Sequence, residues 1–274
     1  MRRFKQIDVF TSRPFLGNPV AVVLDAAGLE APDMQRIARW TNLSETTFLL
    51  PSATADYRVR IFTPAHELPF AGHPTIGSAY AAMRAGLATP RDGAMVQECG
   101  AGLLDLSIEG TKIYVRSPRP KITEVKNVAS AFGIPLAPPA HLIKVDVGPV
   151  WLVGEMSDAA ALAALKPDMT ALAEWTTSLG ATGVTVFAPS GERHCAVHVR
   201  SFAPAGGVPE DPVCGSGNIS VAAYLRHFER AQSAYVARQG MQLGRDGRVY
   251  LRVDASDIWL GGEAVACVEG MLAI

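Results

Sequence analysis

The chain has few cysteines, no long apolar run and no basic patch. Its 274 residues include 4 cysteines, at positions 99, 195, 214 and 267, and no two of them form a Cys-x-x-Cys pair. This pattern excludes a disulfide-stapled scaffold and predicts reduced thiols in a cytoplasmic protein. No apolar stretch approaches the roughly 20 residues of a membrane span. The charged start of the chain has no apolar segment behind it, so no signal peptide is predicted either.

The charge balance argues against nucleic acid as a partner. The formal net charge is -1, the sequence pI is about 6.6, and no stripe of lysine and arginine is present. Hydrophobic residues make up 49% of the chain and charged residues 19%. That composition is enough for two hydrophobic cores, and 274 residues allow one large domain or two smaller ones.

The second half of the chain repeats a segment of the first. Residues 57–77 read YRVRIFTPAHELPFAGHPTIG, and residues 196–218 read AVHVRSFAPAGGVPEDPVCGSGN. Both copies run from a strand with one polar face, through a loop rich in glycine and proline, into a helix. We therefore predict an α/β (α+β) protein built from two copies of one unit. The first lobe is placed at residues 1–118 and the second at residues 119–274, and a return of the last strand to the first lobe is left open.

Apolar periodicity and the positions of glycine and proline predict the individual elements. The predicted helices are residues 31–41, 74–85, 159–165, 169–179 and 219–231. The predicted strands are residues 6–10, 19–24, 45–50, 56–62, 142–147, 150–153, 184–189, 195–202, 249–253, 258–260 and 264–268. Prolines at residues 118–120 and 135–139 indicate the linker between the copies.

Each copy has a helix that begins just after a glycine. Such a start presents unpaired backbone N–H groups and a partial positive charge, which together attract a carboxylate or phosphate. The starts at residues 72–75 and 215–218 could grip one small anion across a cleft, or the glycines could only permit tight turns. The predicted substrate-binding residues are Ser44, Gly72, Pro74, Thr75, Gly215, Gly217 and Asn218.

The two copies differ at polar positions of the shared loops. The loop tip reads Ala-Gly-His at residues 71–73 and Cys-Gly-Ser at residues 214–216, and two carboxylates have no acidic counterpart in the other copy. The residues that are not duplicated are Glu45, His73, Asp211, Cys214 and Ser216. Carboxylates and an imidazole are the parts of general acid–base catalysis, although each residue also has an ordinary role in turns, caps or packing. Glu67 and Glu210, in the same loops, are expected to face solvent or support the turn.

No cofactor or metal is predicted. His194 and His198 share one face of a predicted strand, but the sequence offers no third ligand beside them. Lysine is absent from both loops, so a pyridoxal Schiff base has no candidate. Neither a phosphate-binding P-loop, nor a dinucleotide fingerprint, nor a Gly-x-Ser-x-Gly elbow is found.

Four motifs together carry a family resemblance. They are DVFT at residues 8–11 with GNPVAVV at 17–23, NLSETTF at 42–48, FTPAHELPFAGHPT at 62–75 and EDPVCGSG at 210–217. They resemble the PhzF-type phenazine biosynthesis family of the diaminopimelate epimerase-like superfamily. The resemblance implies two lobes, each a sheet curled around a central helix, with the active site between them, a homodimer and no cofactor. It also implies that Glu45 is the acid/base and that His73, Asp211 and Ser216 are supporting polar residues.

The favoured hypothesis is a cofactor-independent isomerase that moves a proton on a small, carboxylate-bearing, amino-acid-like metabolite, with Glu45 as acid/base. Racemases and epimerases of the superfamily resemble this design but carry cysteine at both loop tips. Here the first tip has Ala71, while the second keeps Cys214 where phenazine-type isomerases usually have another small residue. A racemase or epimerase using Glu45 and Cys214 is therefore the alternative. A metabolite-binding protein without turnover is the third hypothesis.

Overall fold

The computed structural model describes residues 1–125 and 134–274. The chain divides into two compact units, one made of Met1–Arg116 with Gly261–Ile274 and the other of Ser117–Leu260. Both units mix α and β structure, with more strands than helices, as the sequence predicts. Within the described ranges, no helix is long and apolar enough to cross a membrane.

The strands are β1 (Arg2–Val9), β2 (Asn18–Val23), β3 (Thr46–Leu50), β4 (Tyr57–Phe62), β5 (Glu67–Leu68), β6 (Ala94–Cys99), β7 (Gly102–Glu109), β8 (Lys112–Arg116), β9 (Lys121–Glu124), β10 (Leu142–Asp146), β11 (Val150–Glu155), β12 (Gly183–Pro189), β13 (Val197–Ala203), β14 (Val208–Asp211), β15 (Ala234–Gln239), β16 (Gly247–Val253), β17 (Ile258–Gly262) and β18 (Ala264–Leu272). The α-helices are α1 (Ala31–Thr41), α2 (Gly72–Arg84), α3 (Ala159–Ala164), α4 (Met169–Ser178) and α5 (Gly215–His227).

Both units use the same order of strand pairings. In the first unit β1–β2 is antiparallel, β2–β3 parallel, β3–β4 antiparallel, β4–β6 parallel and β6–β7 antiparallel. In the second unit β10–β11, β11–β12, β12–β13, β13–β15 and β15–β16 follow the same sequence of orientations. The repeat in the sequence is therefore a repeat in topology. The first unit is completed by β18, which pairs antiparallel with β1.

Each unit encloses one helix of small residues. Helix α2 packs against β1, β2, β3, β4, β8 and β18, and α5 packs against β10, β11, β12 and β16. Ten residues of each helix are buried, so neither has a solvent face along most of its length. Close approach explains the small side chains: a Cβ on Gly77 would lie 2.5 Å from Cγ1 of Val20. The expected sheet curled around a central helix is thus present in each unit.

The remaining helices cover the other faces of the sheets. Helix α1 buries Met34 and Ala38 in a cluster with Phe48 and Phe62 of the first unit. Helices α3 and α4 belong to a larger apolar cluster of the second unit, which includes Leu162, Leu172, Val184 and Phe202.

Two helix starts and several strands differ from the sequence prediction. Helix α2 begins at Gly72 rather than residue 74, and α5 begins at Gly215 rather than residue 219. The glycines of the second loop tip look like turn residues in sequence, yet the Cys214 Sγ accepts a hydrogen bond from Gly217 N at 3.2 Å and starts the helix there. Strands β5 to β9, β14 and β15 were not predicted from the sequence.

Each polar-faced strand carries an arginine that pairs with the following loop. Arg60 binds Glu67 through two hydrogen bonds of 2.7 Å, and Arg200 binds Glu210 through two of 2.9 Å. The exposed side-chain fractions are 23% and 41% in the first pair but only 6% and 11% in the second. Of the two roles expected for Glu210, facing solvent or supporting the turn, the first is wrong, because its carboxylate forms a buried ion pair that ties the loop to β13.

Candidate functional site

The first unit brings Glu45 and His73 together. Glu45 lies directly before β3, and His73 is the second residue of α2. The distance from His73 Nε2 to Glu45 Oε2 is 3.3 Å, and the Glu45 side chain is 16% exposed. The Oε2 atom itself is buried and makes no hydrogen bond to any residue that the structure describes. A buried carboxylate oxygen without a donor is an acceptor available to a ligand or a proton.

The environment of Glu45 raises the pKa of its carboxyl group to near neutral pH. Burial raises the pKa of Glu45 from its ordinary 4.5 to about 7, while a hydrogen bond with the Ser44 side chain acts in the opposite direction. Burial has this effect because it removes water that would stabilise the carboxylate. A group with a pKa near 7 can both take and give protons at neutral pH.

The start of α2 carries the other predicted residues of the first unit. Gly72, Pro74 and Thr75 are all buried there. The N-cap Ala71 has no side chain that could accept a hydrogen bond from the first-turn N–H groups. The Thr75 hydroxyl accepts a hydrogen bond of 3.1 Å from Gln97 Nε2, which leaves its own proton for another acceptor.

The second unit gathers Asp211, Cys214 and Ser216 at the start of α5. Asp211 ends β14 and accepts a hydrogen bond of 3.0 Å from Val213 N. Cys214 is the N-cap of α5, and its Sγ lies 3.6 Å from Ser216 Oγ. The Trp151 indole Nε1 donates to the same Ser216 Oγ at 2.9 Å. Three of the predicted residues thus share one loop and helix start, and Trp151 joins them.

Cys214 is a neutral thiol in this environment. Burial, and then the negative charge of Asp211, raise the pKa of Cys214 well above its ordinary value. Hydrogen bonds with Ser216, Gly217 N and Ser201 act in the opposite direction but are smaller influences. The thiol is therefore protonated at neutral pH and serves as the acceptor that caps α5.

Asn218 and Gln239 hold the loop that carries Asp211. Asn218 Nδ2 donates to Cys214 O and to Gln239 Oε1, both at 2.8 Å. Gln239 Nε2 donates to Asp211 O at 2.9 Å. These bonds fix both ends of the loop, so Asn218 braces the predicted site and Gln239 is a supporting residue that the sequence reasoning missed. The signal available was a glutamine in an otherwise apolar buried position of β15.

His194 and His198 do not share a strand face, because β13 begins at Val197 and His194 lies in the turn before it. His198 has two other neighbours that could bind a metal. One ligand-type atom from each of Glu192, Cys195 and His198 lies within 4.8 Å of the others. Arg238 Nη1 donates to Glu192 Oε1 at 2.7 Å, and His198 Nε2 lies 3.0 Å from the same oxygen. A guanidinium on the shared carboxylate oxygen indicates an ion-pair network, and Arg238 is held in turn by Asp246 at 2.8 Å.

Glu45 and His73 belong to the first unit, whereas Asp211, Cys214 and Ser216 belong to the second. The prediction that both sets serve one site stays a prediction.

These two topologically equivalent units define a duplicated protein of the diaminopimelate epimerase-like class. A crystal structure of a Bacillus anthracis phenazine biosynthesis protein of the PhzF family is similar to the whole chain, with a TM-score of 0.88, 26% identity and coverage of 100% and 99% of the two chains. The protein-family model described as "Phenazine biosynthesis-like protein" matches residues 7–270 of this chain. The chain belongs to this family, as the motifs predict.

Two curated relatives cover almost the whole chain. The chain is 41% identical over 292 residues to "Antisense-enhancing sequence 1" of Schizosaccharomyces pombe, covering 97% of each. It is 36% identical over 283 residues to the trans-2,3-dihydro-3-hydroxyanthranilate isomerase of Pseudomonas aeruginosa, covering 98% of this chain and 95% of that protein.

Proposed function

We propose that this protein is a cofactor-independent isomerase that moves a proton on a small, carboxylate-bearing, amino-acid-like metabolite, with Glu45 as the acid/base. As a member of its family the chain is an isomerase. The observation that supports the role of Glu45 is its contact of 3.3 Å with His73 in a buried setting that brings the carboxyl pKa to about 7. This pKa suits the proposed role of Glu45, because a general base works best with a pKa near the operating pH.

The proposed reaction needs one base and no oxidant. Ionised Glu45 removes a proton from a carbon atom next to a double bond of the substrate. The electron pair of that C–H bond forms a new double bond to the neighbouring carbon, and the electron pair of the former double bond moves to its far carbon. The protonated Glu45 then returns the proton, on the same face, to that far carbon two atoms away. Substrate and product have the same composition. His73 stabilises the charge that develops beside Glu45.

The relatives suggest a first compound to assay. The Pseudomonas relative is named for trans-2,3-dihydro-3-hydroxyanthranilate, which carries a carboxylate, an amine and a hydroxyl group. We propose that Asp211 and Ser216 bind such polar groups, with Ser44, Gly72, Pro74, Thr75, Gly215, Gly217 and Asn218 as the wider binding set. The homodimer and the cytoplasmic location stay predictions.

The pH dependence of turnover tests the role of Glu45. Because the base must be ionised, kcat/KM is expected to rise tenfold per pH unit below about 7, the pKa of Glu45, and to level off above it. Steady-state kinetics with trans-2,3-dihydro-3-hydroxyanthranilate between pH 5 and 9 measure this rise and plateau. A flat profile, or one that falls as pH rises through 7, would contradict the proposal.

The racemase or epimerase alternative makes a different prediction for Cys214. If Glu45 acts alone, Cys214→Ser should keep kcat within about threefold, since serine is also a good N-cap. A two-base mechanism would lose about 10²- to 10⁴-fold in the same variant. Cys195→Ser is the matched control, because Cys195 is a buried thiol outside both loops. In deuterated water, one base leaves some product with its original hydrogen, whereas two bases on opposite faces label every product molecule.

A further inference from the structure

Strand register identifies the residue of the second unit that occupies the position of Glu45. In the first unit the residue after Glu45 pairs with Phe62. In the second unit the residue after Gly183 pairs with Phe202. Phe62 and Phe202 are matching residues of the sequence repeat. The counterpart of the proposed acid/base is therefore Gly183, whereas aligning NLSETTF (residues 42–48) with ATGVTVF (residues 181–187) would place Val184 there.

A tryptophan fills the space beside this glycine. Trp151 pairs with Gly183 on the neighbouring strand. A Cβ on Gly183 would lie 2.7 Å from Cζ3 of Trp151 and 2.1 Å from Phe202 O, so no side chain fits there. The register of the first unit places Val20 opposite Glu45. Valine beside glutamate in one unit is thus replaced by tryptophan beside glycine in the other.

In each unit, one residue of this pair contacts the second residue of the enclosed helix. Glu45 Oε2 lies 3.3 Å from His73 Nε2 at the start of α2. Trp151 Nε1 donates to Ser216 Oγ at 2.9 Å at the start of α5. Trp151 is 3% exposed and its ring packs against Gly183, so the indole has little free space around it. An ionisable pair in the first unit corresponds to a pair in the second that does not titrate near neutral pH, since an indole N–H only donates.

We propose that Trp151 is a positioning residue that directs the Ser216 hydroxyl proton toward the carboxylate of the substrate. The indole N–H occupies one acceptor direction of Ser216 Oγ, so the hydroxyl proton must point elsewhere. Cys214 Sγ also lies near this oxygen, at 3.6 Å, but a sulfur atom is a weak acceptor. A substrate carboxylate is a stronger one, because hydrogen bonds to charged groups are worth about twice as much as neutral ones. This inference rests on the proposed function, since it assigns the second unit to binding and not to proton transfer.

The variant Trp151→Phe removes the N–H and keeps an aromatic ring. Without the indole N–H, the Ser216 hydroxyl is no longer directed at the substrate and its charge-assisted hydrogen bond to the carboxylate is lost. We expect KM for trans-2,3-dihydro-3-hydroxyanthranilate to rise about tenfold as a result. The kcat should change less than about twofold, and the rise of kcat/KM with pH should keep its midpoint, because Glu45 is unaffected. The dissociation constant of 3-hydroxyanthranilate, an aromatic carboxylate that cannot turn over, should weaken by the same factor in calorimetry.

The double variant with Ser216→Ala separates positioning from packing. If Trp151 acts through Ser216, then adding Trp151→Phe to Ser216→Ala should change the dissociation constant no further. Trp175→Phe, a tryptophan of α4 in the same unit, is the control and should bind as the unchanged protein does. Effects that add in the double variant, or a Trp151→Phe protein that binds 3-hydroxyanthranilate normally, would overturn the assignment. So would a lack of binding by the unchanged protein.

The two proposals fail in different ways. If Glu45→Gln keeps turnover while Trp151→Phe weakens binding, the proposed function is wrong and the binding role of the second unit holds. If Glu45→Gln is inactive and Trp151→Phe behaves as the unchanged protein, the proposed function holds and the role of Trp151 is wrong.

Discussion

Replacing Glu45 with glutamine should lower kcat by about 10³-fold, in the middle of the range for loss of a general acid/base. Glutamine keeps the shape of the side chain but cannot take up the proton. The loss should fall on kcat and leave substrate binding nearly unchanged, because the group acts on the reacting bond. Turnover of trans-2,3-dihydro-3-hydroxyanthranilate, followed by absorbance or NMR, measures the effect.

Glu67→Gln is the matched control, since that carboxylate lies in the first-unit loop with a side chain that is 41% exposed. Its kcat should stay within about twofold of the unchanged protein. If Glu45→Gln retained full turnover, or if both variants lost the same fraction, Glu45 could not be the acid/base.

The same Glu45 variant should be more stable than the unchanged protein at pH 8. The pKa of Glu45 is about 7 in the folded chain and near 4.5 when unfolded, so ionisation costs stability as pH rises between those values. Below about 4.5 the carboxyl is neutral in both states and the difference disappears. Denaturant unfolding at pH 8 should therefore show a gain of up to about 3 kcal/mol. A gain in stability with a loss of turnover excludes misfolding as the reason for inactivity.

Replacing Arg200 with methionine should lower the free energy of unfolding by about 3–5 kcal/mol, the cost of breaking a buried ion pair. The variant leaves the Glu210 carboxylate buried without its partner. It also removes two hydrogen bonds, of 2.9 and 2.7 Å, that the guanidinium donates to Leu162 O and Leu165 O. Urea unfolding measured at pH 8 quantifies the loss.

The duplicated fold supplies the control for this experiment. Arg60 makes the same bidentate contact with Glu67, but in a more exposed setting, so Arg60→Met should cost at most about 1 kcal/mol. Adding Glu210→Gln to Arg200→Met should recover part of the loss, since no buried charge then remains. Equal losses for Arg60→Met and Arg200→Met would show that burial does not set the strength of these pairs.

The parts of the fold with strong local signals were predictable from the sequence. Helix α1 has the predicted bounds because Pro32 and Asp33 mark its first turn and its apolar face is periodic. The start of α5 was not predictable in the same way. A glycine-rich turn and a glycine-rich buried helix have the same composition. The hydrogen bond from Gly217 N to Cys214 Sγ, which caps the helix, is visible only in the structure.

Some residues of the candidate site were predictable from the sequence and others were not. Comparing the two copies singled out Glu45 and His73, and the structure places them 3.3 Å apart. The same comparison could not find Trp151, because its role depends on which residues face each other across β11 and β12. A motif alignment does not show which residues pair across strands, and it assigns Val184 rather than Gly183 to the position of Glu45. Gln239 was missed because β15 was not predicted as a strand and because its partners Asn218 and Asp211 lie 21 and 28 residues away in sequence.

The pairing of β18 with β1 has a consequence for how the chain is made. The first unit combines Met1–Arg116 with Gly261–Ile274, whereas the second is a continuous stretch. During synthesis on the ribosome, β1 emerges early but its neighbour β18 only after the whole second unit. The unit that is translated first therefore cannot complete its sheet until the second unit has been synthesised.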